Sequence, residues 1–167
     1  MAINRSVGRS AVSVAEAHLA RVAAVGSSRH RHLNTLLEAS GLNSSRDLAD
    51  CVHLLCSLHG NQPSLIELAH RHSAEGFARE WLARAAEAFE RERLFLVRLT
   101  SAVGPLPSTP GAAETEAALK AQRNALEILA TSERRGCALG APAALVGDWW
   151  PIRRILDRAA SRAGLES

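Results

Sequence analysis

The stretch from Cys51 to His72 holds most of the side chains in this chain that could bind a metal ion or transfer a proton. It contains two of the three cysteines and four of the seven histidines. Thiolates and imidazoles suit zinc, but structural zinc sites need four ligands, usually in closely spaced pairs. No Cys-x2-Cys or His-x3-His pair occurs, so the stretch carries no complete zinc signature. The six residues are Cys51, His53, Cys56, His59, His70 and His72.

Glu67 and His70 are three residues apart, which places a carboxylate and an imidazole on the same face of a helix. Di-iron carboxylate bundles use this motif twice, together with a glutamate from each of two other helices. The second copy is missing here, because Glu133 is followed three residues later by Gly136. A degenerate site of this ferritin-like kind would bind iron, manganese or zinc. Its candidate ligands are His59, Glu67, His70, His72, Glu92 and Glu133.

Glu92 lies within the apolar stripe of a long predicted helix. A carboxylate buried there without a partner would be costly. An arginine suits such a carboxylate, because its fork of donors can bind both oxygens, and Arg123, Arg134 or Arg153 could supply it. A structural ion pair is therefore favoured over a metal ligand at Glu92, and no cofactor is predicted.

The elements that carry these residues are predicted to be helices. Hydrophobic residues make up 47% of the chain, but aromatic residues only 4%, and tyrosine is absent. Helix formers thus dominate and strand formers are scarce. We predict one all-α domain over 1–167, an antiparallel bundle of about six to eight helices around long central helices over about 74–103 and 112–136. The other helices are predicted over about 11–25, 29–40, 44–60, 64–72 and from 148 onward.

Capping residues set several of these boundaries. A side-chain oxygen at the start of a helix accepts a hydrogen bond from a free backbone N–H. On this ground Ser44 or Ser45 is predicted to cap the third helix, Ser64 the fourth and Asp148 the last. The small residues over 136–141 predict a tight turn or a close backbone approach before that last helix.

Charge and cysteine usage exclude some classes of protein. The formal net charge is +3, with basic residues interleaved among 17 acidic ones, so a nucleic-acid partner is not expected. Three cysteines form no disulfide framework, which favours a reducing cytoplasm. No stretch of about 18 apolar residues occurs, and the first 25 residues form an amphipathic helix rather than a signal peptide. We therefore expect a cytoplasmic protein without a membrane span.

Trp150 points away from the core stripe of the last predicted helix, about 100° from Trp149. An aromatic residue outside the core often marks a contact with another helix or another subunit, and it can equally cover an adjacent loop of the same chain. The sequence predicts a protein partner or self-association through the C-terminal region, with Trp150 as the candidate interface residue. It identifies no small-molecule ligand.

Four segments carry a resemblance to a known group of proteins, and the stretch that begins with the first of them spans about two-thirds of the sequence: 58–60, 104–111, 134–141 and 148–153. On these segments the chain resembles an uncharacterised family of small all-helical bacterial proteins of unknown function. The resemblance implies a helical fold and a bacterial origin, and it brings no catalytic residues. A ferritin-like resemblance rests on Glu67 and His70 alone.

The leading hypothesis from the sequence is a non-catalytic binding, regulatory or assembly protein. The alternative is a ferritin-like metal-binding protein or oxidoreductase with a degenerate carboxylate and histidine site. Whether the protein is an enzyme stays open at this stage.

Overall fold

The computed structural model of the chain describes residues 4–73, 76–106, 111–134 and 136–166. Over these residues the chain forms seven α-helices and no strand, which confirms the predicted all-α bundle. A short 3-10 turn, Ser27–Arg29, links the first two helices. The helices are α1 (Asn4–Val25), α2 (Arg31–Glu38), α3 (Leu42–His59), α4 (Leu65–His72), α5 (Phe77–Ala102), α6 (Ala112–Ala130) and α7 (Cys137–Ala163).

Helix α5 is one of two central helices and packs against α3, α4 and α7. Its buried side chains Leu82, Phe89, Leu96 and Leu99 recur at spacings of seven, seven and three. Those spacings keep one face of a 3.6-residue helix against the core. The prediction of a long central helix over about 74–103 is confirmed, since α5 occupies Phe77–Ala102.

Helix α7 is the other central helix and packs against all six other helices. The predicted start at Asp148 is wrong, because the helix begins at Cys137 and runs through Pro142 and Pro151. Each proline lacks an N–H and so removes one intrahelical hydrogen bond. Pro142 is nevertheless fully buried, so packing on several sides holds the segment helical where the local sequence favours a break. The turn before it is Gly136, whose φ of 88° suits glycine.

Asp148 does not cap a helix; its side chain connects α7 to the segment between α1 and α2. Its carboxylate accepts hydrogen bonds from the backbone N–H of Ser27 at 2.8 and 3.0 Å and from the Ser27 hydroxyl at 2.6 Å. The approach is so close that a Cβ at Gly26 would overlap the Asp148 carboxylate. The connection between α1 and α2 is therefore fixed against the middle of α7.

The predicted ends of the other helices are confirmed for α4 and wrong for α3 and α6. Ser64 caps α4 as predicted, and Glu67 completes a capping box by accepting from the Ser64 N–H at 2.6 Å. The predicted cap of α3 is wrong: Gly41 holds the N-cap position, and Ser44 lies one turn inside, with its hydroxyl donating to the Gly41 carbonyl at 2.6 Å. The predicted helix over 112–136 ends earlier, because α6 stops at Ala130.

None of the described helices combines the length and the apolar content needed to cross a bilayer.

Candidate functional site

Glu92 lies on α5 and is held by two side chains of α7. One carboxylate oxygen accepts from Nη1 of Arg153 at 2.7 Å, and the other accepts from Nε1 of Trp149 at 2.9 Å. Arg153 and Glu92 are each about three-quarters buried. The prediction that an arginine neutralises Glu92 is confirmed, and the arginine is Arg153.

Arg153 is itself fixed on three sides. Its Nε donates to Asp157 at 2.7 Å, and its guanidinium lies 4.4 Å from the centre of the Phe95 ring. Burial alone would lower the pKa of Arg153, but the hydrogen bonds and charges of Asp157 and Glu92 outweigh it and raise the pKa. The guanidinium therefore stays charged and joins α5 to α7.

The six candidate metal ligands are not gathered into one site. Glu67 is engaged in the capping box of α4, Glu92 pairs with Arg153, and Glu133 is exposed beyond the end of α6. His72 makes a 2.8 Å hydrogen bond from Nδ1 to the Leu68 carbonyl. His59 and His70 are partly buried. In the part of the chain that the structure describes, no three His, Cys, Asp or Glu side chains are placed to share a metal ion.

His59 belongs to an aromatic cluster instead. Its ring meets Trp149 edge-on at 5.5 Å between ring centres and Phe89 at 6.2 Å, while Phe89 and Trp149 are 4.7 Å apart. Burial, and then the positive charge of Arg123, lowers the pKa of His59 from 6.5 to about 4. The imidazole is therefore neutral at pH 7.

An opening with mainly apolar walls lies between α3, α6 and α7, and we call it the inner cavity. Its volume is about 650 Å³. The end of α1, the 3-10 turn and the start of α2 complete its walls. Most of the lining is aliphatic, with Leu54, Leu58, Leu126, Leu145 and Ile155 as examples.

Polar groups in the lining of the inner cavity are few. They include the imidazoles of His30, just before α2, and His32 on α2, the carboxylate of Asp50 on α3 and the amide of Gln122 on α6. Cys51 also lines it, and burial together with the nearby charge of Asp50 raises the pKa of the Cys51 thiol to about 11. At pH 7 that thiol is protonated, so it is a poor nucleophile.

A second opening, the outer cavity, lies between α3 and the first part of α6 and measures about 780 Å³. It is more polar, since His53, Lys120 and Arg123 line it. The two cavities share Asp50, Leu54 and Leu119. The two openings are therefore neighbours along the line where α3 and α6 face each other.

Helix α6 is the loosely packed wall of both cavities. Every residue from Ala112 to Ala118 is exposed, and Ala130 is the one buried residue of the helix. The α6 side chains that line the inner cavity are Leu119, Gln122, Leu126 and Leu129. They line the space beside α3 and α7 without filling it. The sequence did not predict this opening, because no local pattern marks a space between helices.

Trp150 lies on the outside of α7 with 70% of its surface exposed. That placement agrees with the orientation predicted from the helix period. The interface proposed there stays a prediction.

Over the residues that the structure describes, the protein is all-helical, with a largely apolar opening beside the central helix α7. The chain belongs to a family of unknown function, DUF6975, which matches residues 22–167. This confirms the resemblance to an uncharacterised family and extends it over most of the chain. No curated protein and no solved structure matches the chain.

Replacing Glu92 with alanine tests whether its role is structural. We expect the free energy of unfolding to fall by about 1–3 kcal/mol, because Arg153 and Trp149 each lose a partly buried acceptor. Glu87→Ala, at an exposed position of the same helix, should change it little. Metal content, measured by plasma mass spectrometry on protein purified without chelator, should be the same in wild type and Glu92→Ala. Stoichiometric iron, manganese or zinc that disappears in the variant would instead establish the metal centre.

His59 should make the protein less stable in acid. Its pKa is about 4 in the folded protein against 6.5 for the free side chain, so the unfolded chain binds an extra proton between those values. The contribution of neutral His59 to the free energy of unfolding is fully present above pH 6.5. It falls by about 3 kcal/mol as the pH drops towards 4. His59→Phe keeps an aromatic ring but removes the titration.

Chemical denaturation from pH 4 to 8 measures this effect. The loss of stability below pH 6.5 should be about 3 kcal/mol smaller in His59→Phe than in wild type. His72→Gln, at an exposed histidine, is the control and should follow the wild-type curve. Parallel curves for His59→Phe and wild type would show that His59 is not held neutral by burial.

Proposed function

We propose that this protein is a non-catalytic binding protein whose ligand is a largely apolar small molecule held in the inner cavity. The observation that carries the proposal is an aliphatic chamber of about 650 Å³ between α3, α6 and α7. Sites for small molecules occupy roughly 300–1,000 Å³ and combine apolar walls with a few polar groups. The inner cavity has that size and that composition.

Binding is favoured over catalysis by the protonation states of two titratable groups in the chamber. His59 is neutral at pH 7 because its pKa is lowered to about 4, and Cys51 is protonated because its pKa is raised to about 11. A general base works best with a pKa near the operating pH, and a nucleophilic cysteine needs a lowered one. Neither residue has a pKa that suits catalysis, and both can serve as lining residues of a binding site.

The ligand should add to the stability of the fold. Covering apolar wall surface contributes about 0.8 kcal/mol for each buried methylene group. A ligand that binds the folded protein and not the unfolded chain stabilises it by mass action. The free thiols of Cys51, Cys56 and Cys137 support a reducing compartment, the cytoplasm, as the place where this occurs.

The alternative of a ferritin-like metal centre lacks support in the geometry. Such a centre needs several carboxylates and imidazoles turned towards one point. Its central candidate, Glu92, is occupied by Arg153 and Trp149.

Filling the chamber tests the proposal. Ala144 lines the inner cavity on α7, and Ala144→Phe would place a ring inside it. Nile red, a neutral dye whose emission shifts to the blue in apolar surroundings, should bind wild type saturably. It should bind Ala144→Phe at least tenfold more weakly, because the ring takes the space of the ligand.

Val146→Phe is the matched control for that experiment. Val146 is 42% exposed on the same helix and does not line the inner cavity. Its variant should bind the dye like wild type. Dye binding that does not saturate, or that survives Ala144→Phe, would contradict the proposal.

A second candidate function is self-association through the outer face of α7. Leu139, Val146 and Trp150 are 38%, 42% and 70% exposed, and their spacings of seven and four residues place them on one face of the helix. A seam with this spacing is the kind that two helices pack against each other. This candidate is independent of the cavity.

Sedimentation velocity over a range of concentrations tests self-association. We expect wild type to form a dimer whose dissociation constant rises at least tenfold in Trp150→Gln, because interface tryptophans often contribute 2 kcal/mol or more, an approximate figure from alanine scanning. Leu94→Gln, at a 48% exposed leucine of α5, should dimerise like wild type. A wild-type monomer at every concentration would rule out self-association and leave α7 for a different protein partner.

A further inference from the structure

We infer that the ligand of the inner cavity is a cationic amphiphile, an apolar chain or ring that carries an amine, and that its positive charge pairs with Asp50. This inference rests on the proposed function and adds the chemical class of the ligand. Three observations support it: the charges around the chamber, a carboxylate without a hydrogen-bond partner in the described residues, and the apolar walls.

The lining of the inner cavity is acidic although the chain as a whole is basic. Two carboxylates, Asp50 and Asp148, contribute to it. None of the lysines or arginines in the described residues does, although the chain has 20 of them and a formal net charge of +3. In a cavity with low-dielectric walls such a distribution attracts cations and repels anions.

The two carboxylates differ in what they already bind. Asp148 accepts three hydrogen bonds from the backbone and hydroxyl of Ser27. Asp50 is half-buried and makes no hydrogen bond or ion pair within the described residues. A carboxylate that is partly removed from water gains most from a positive partner. Asp50 is therefore the anionic group that remains available to a ligand.

The basic residues of the neighbouring outer cavity do not neutralise Asp50. Lys120 pairs with Glu116 at 2.7 Å, and Arg123 pairs with Glu127 at 2.8 Å. Arg123 also donates to the Leu58 carbonyl at 3.2 Å. Both side chains are engaged on α6 and α3, which leaves the shared wall at Asp50 with its negative charge.

The aliphatic walls decide what else the ligand must contain. A small hydrophilic polyamine would leave Leu54, Leu145 and Ile155 in contact with water or with polar atoms, and it would gain nothing from them. A medium-length alkyl chain or a hydrophobic ring covers those walls and still brings one amine to Asp50. Both requirements are met by an amphiphile with a single cationic end.

Three ligands of equal chain length test the inference. Decylamine is cationic, decanol neutral and decanoate anionic at pH 7. Each can be titrated calorimetrically below the concentration at which it forms micelles or, for decanol, a separate phase. Wild type should bind decylamine about tenfold more tightly than decanol, since a charged hydrogen bond to a partly buried carboxylate contributes about that much. Decanoate should bind most weakly.

Asp50→Asn removes the charge and keeps the shape. Its affinity for decylamine should fall about tenfold, to that of decanol, while its affinity for decanol stays at the wild-type value. Retained decanol binding shows at the same time that the variant is folded. Asp47→Asn is the control, because Asp47 is exposed on the same helix and does not line the inner cavity. It should bind all three ligands like wild type.

The outcomes separate this inference from the proposed function. If decanol and decylamine bind wild type equally, or if Asp50→Asn loses affinity for both, the cationic class is wrong and the apolar cavity still binds ligands. If none of the three ligands binds wild type, the proposed function itself is wrong.

Discussion

The hydrogen-bonded group of Glu92, Arg153 and Trp149 fixes the relative position of the two central helices, and the remaining helices pack around that pair. Glu92 receives both donors from α7 on one carboxylate. Because Trp149 is held by its Nε1, its ring is turned towards Phe89 and His59. His59 is the last residue of α3. The orientation of the Trp149 ring therefore also affects how α3 packs against α5 and α7. Buried charged or polar groups are known to fix the relative position of packed helices in other proteins.

The inner cavity lies where α7 faces α3 and α6, away from its contact with α5. On one side, α5 and α7 meet through long side chains and leave little space. On the other, α6 lines the space with Leu119, Leu126 and Leu129 but does not close it against α3 and α7. Close packing is the normal state of a protein interior, so this opening is the place where the bundle departs from it. Asp148 and Ser27 hold the α1–α2 connection over one end of that chamber.

Several features could be read from the sequence because they depend on neighbours along the chain. The repeat of apolar residues in α5 indicated a long buried helix, and the Ser64 and Glu67 spacing indicated the cap of α4. The need of Glu92 for an arginine was also predictable, because a carboxylate inside an apolar stripe requires a counter charge wherever the chain folds. Which arginine supplies it was open among three candidates, since those residues are separated from Glu92 by loops of unknown path.

Other features were settled only when the helices came together. The sequence by itself determined the helical class, the core face of α5 and the local cap at Ser64, because propensity, period and capping act over a few residues. The tertiary structure decided that α7 runs through two prolines, that Asp148 binds Ser27 and that the candidate metal ligands lie apart. It also decided that α6 leaves a chamber beside Asp50. Each of these depends on distances between segments far apart in the chain, and such distances are set by how whole helices pack.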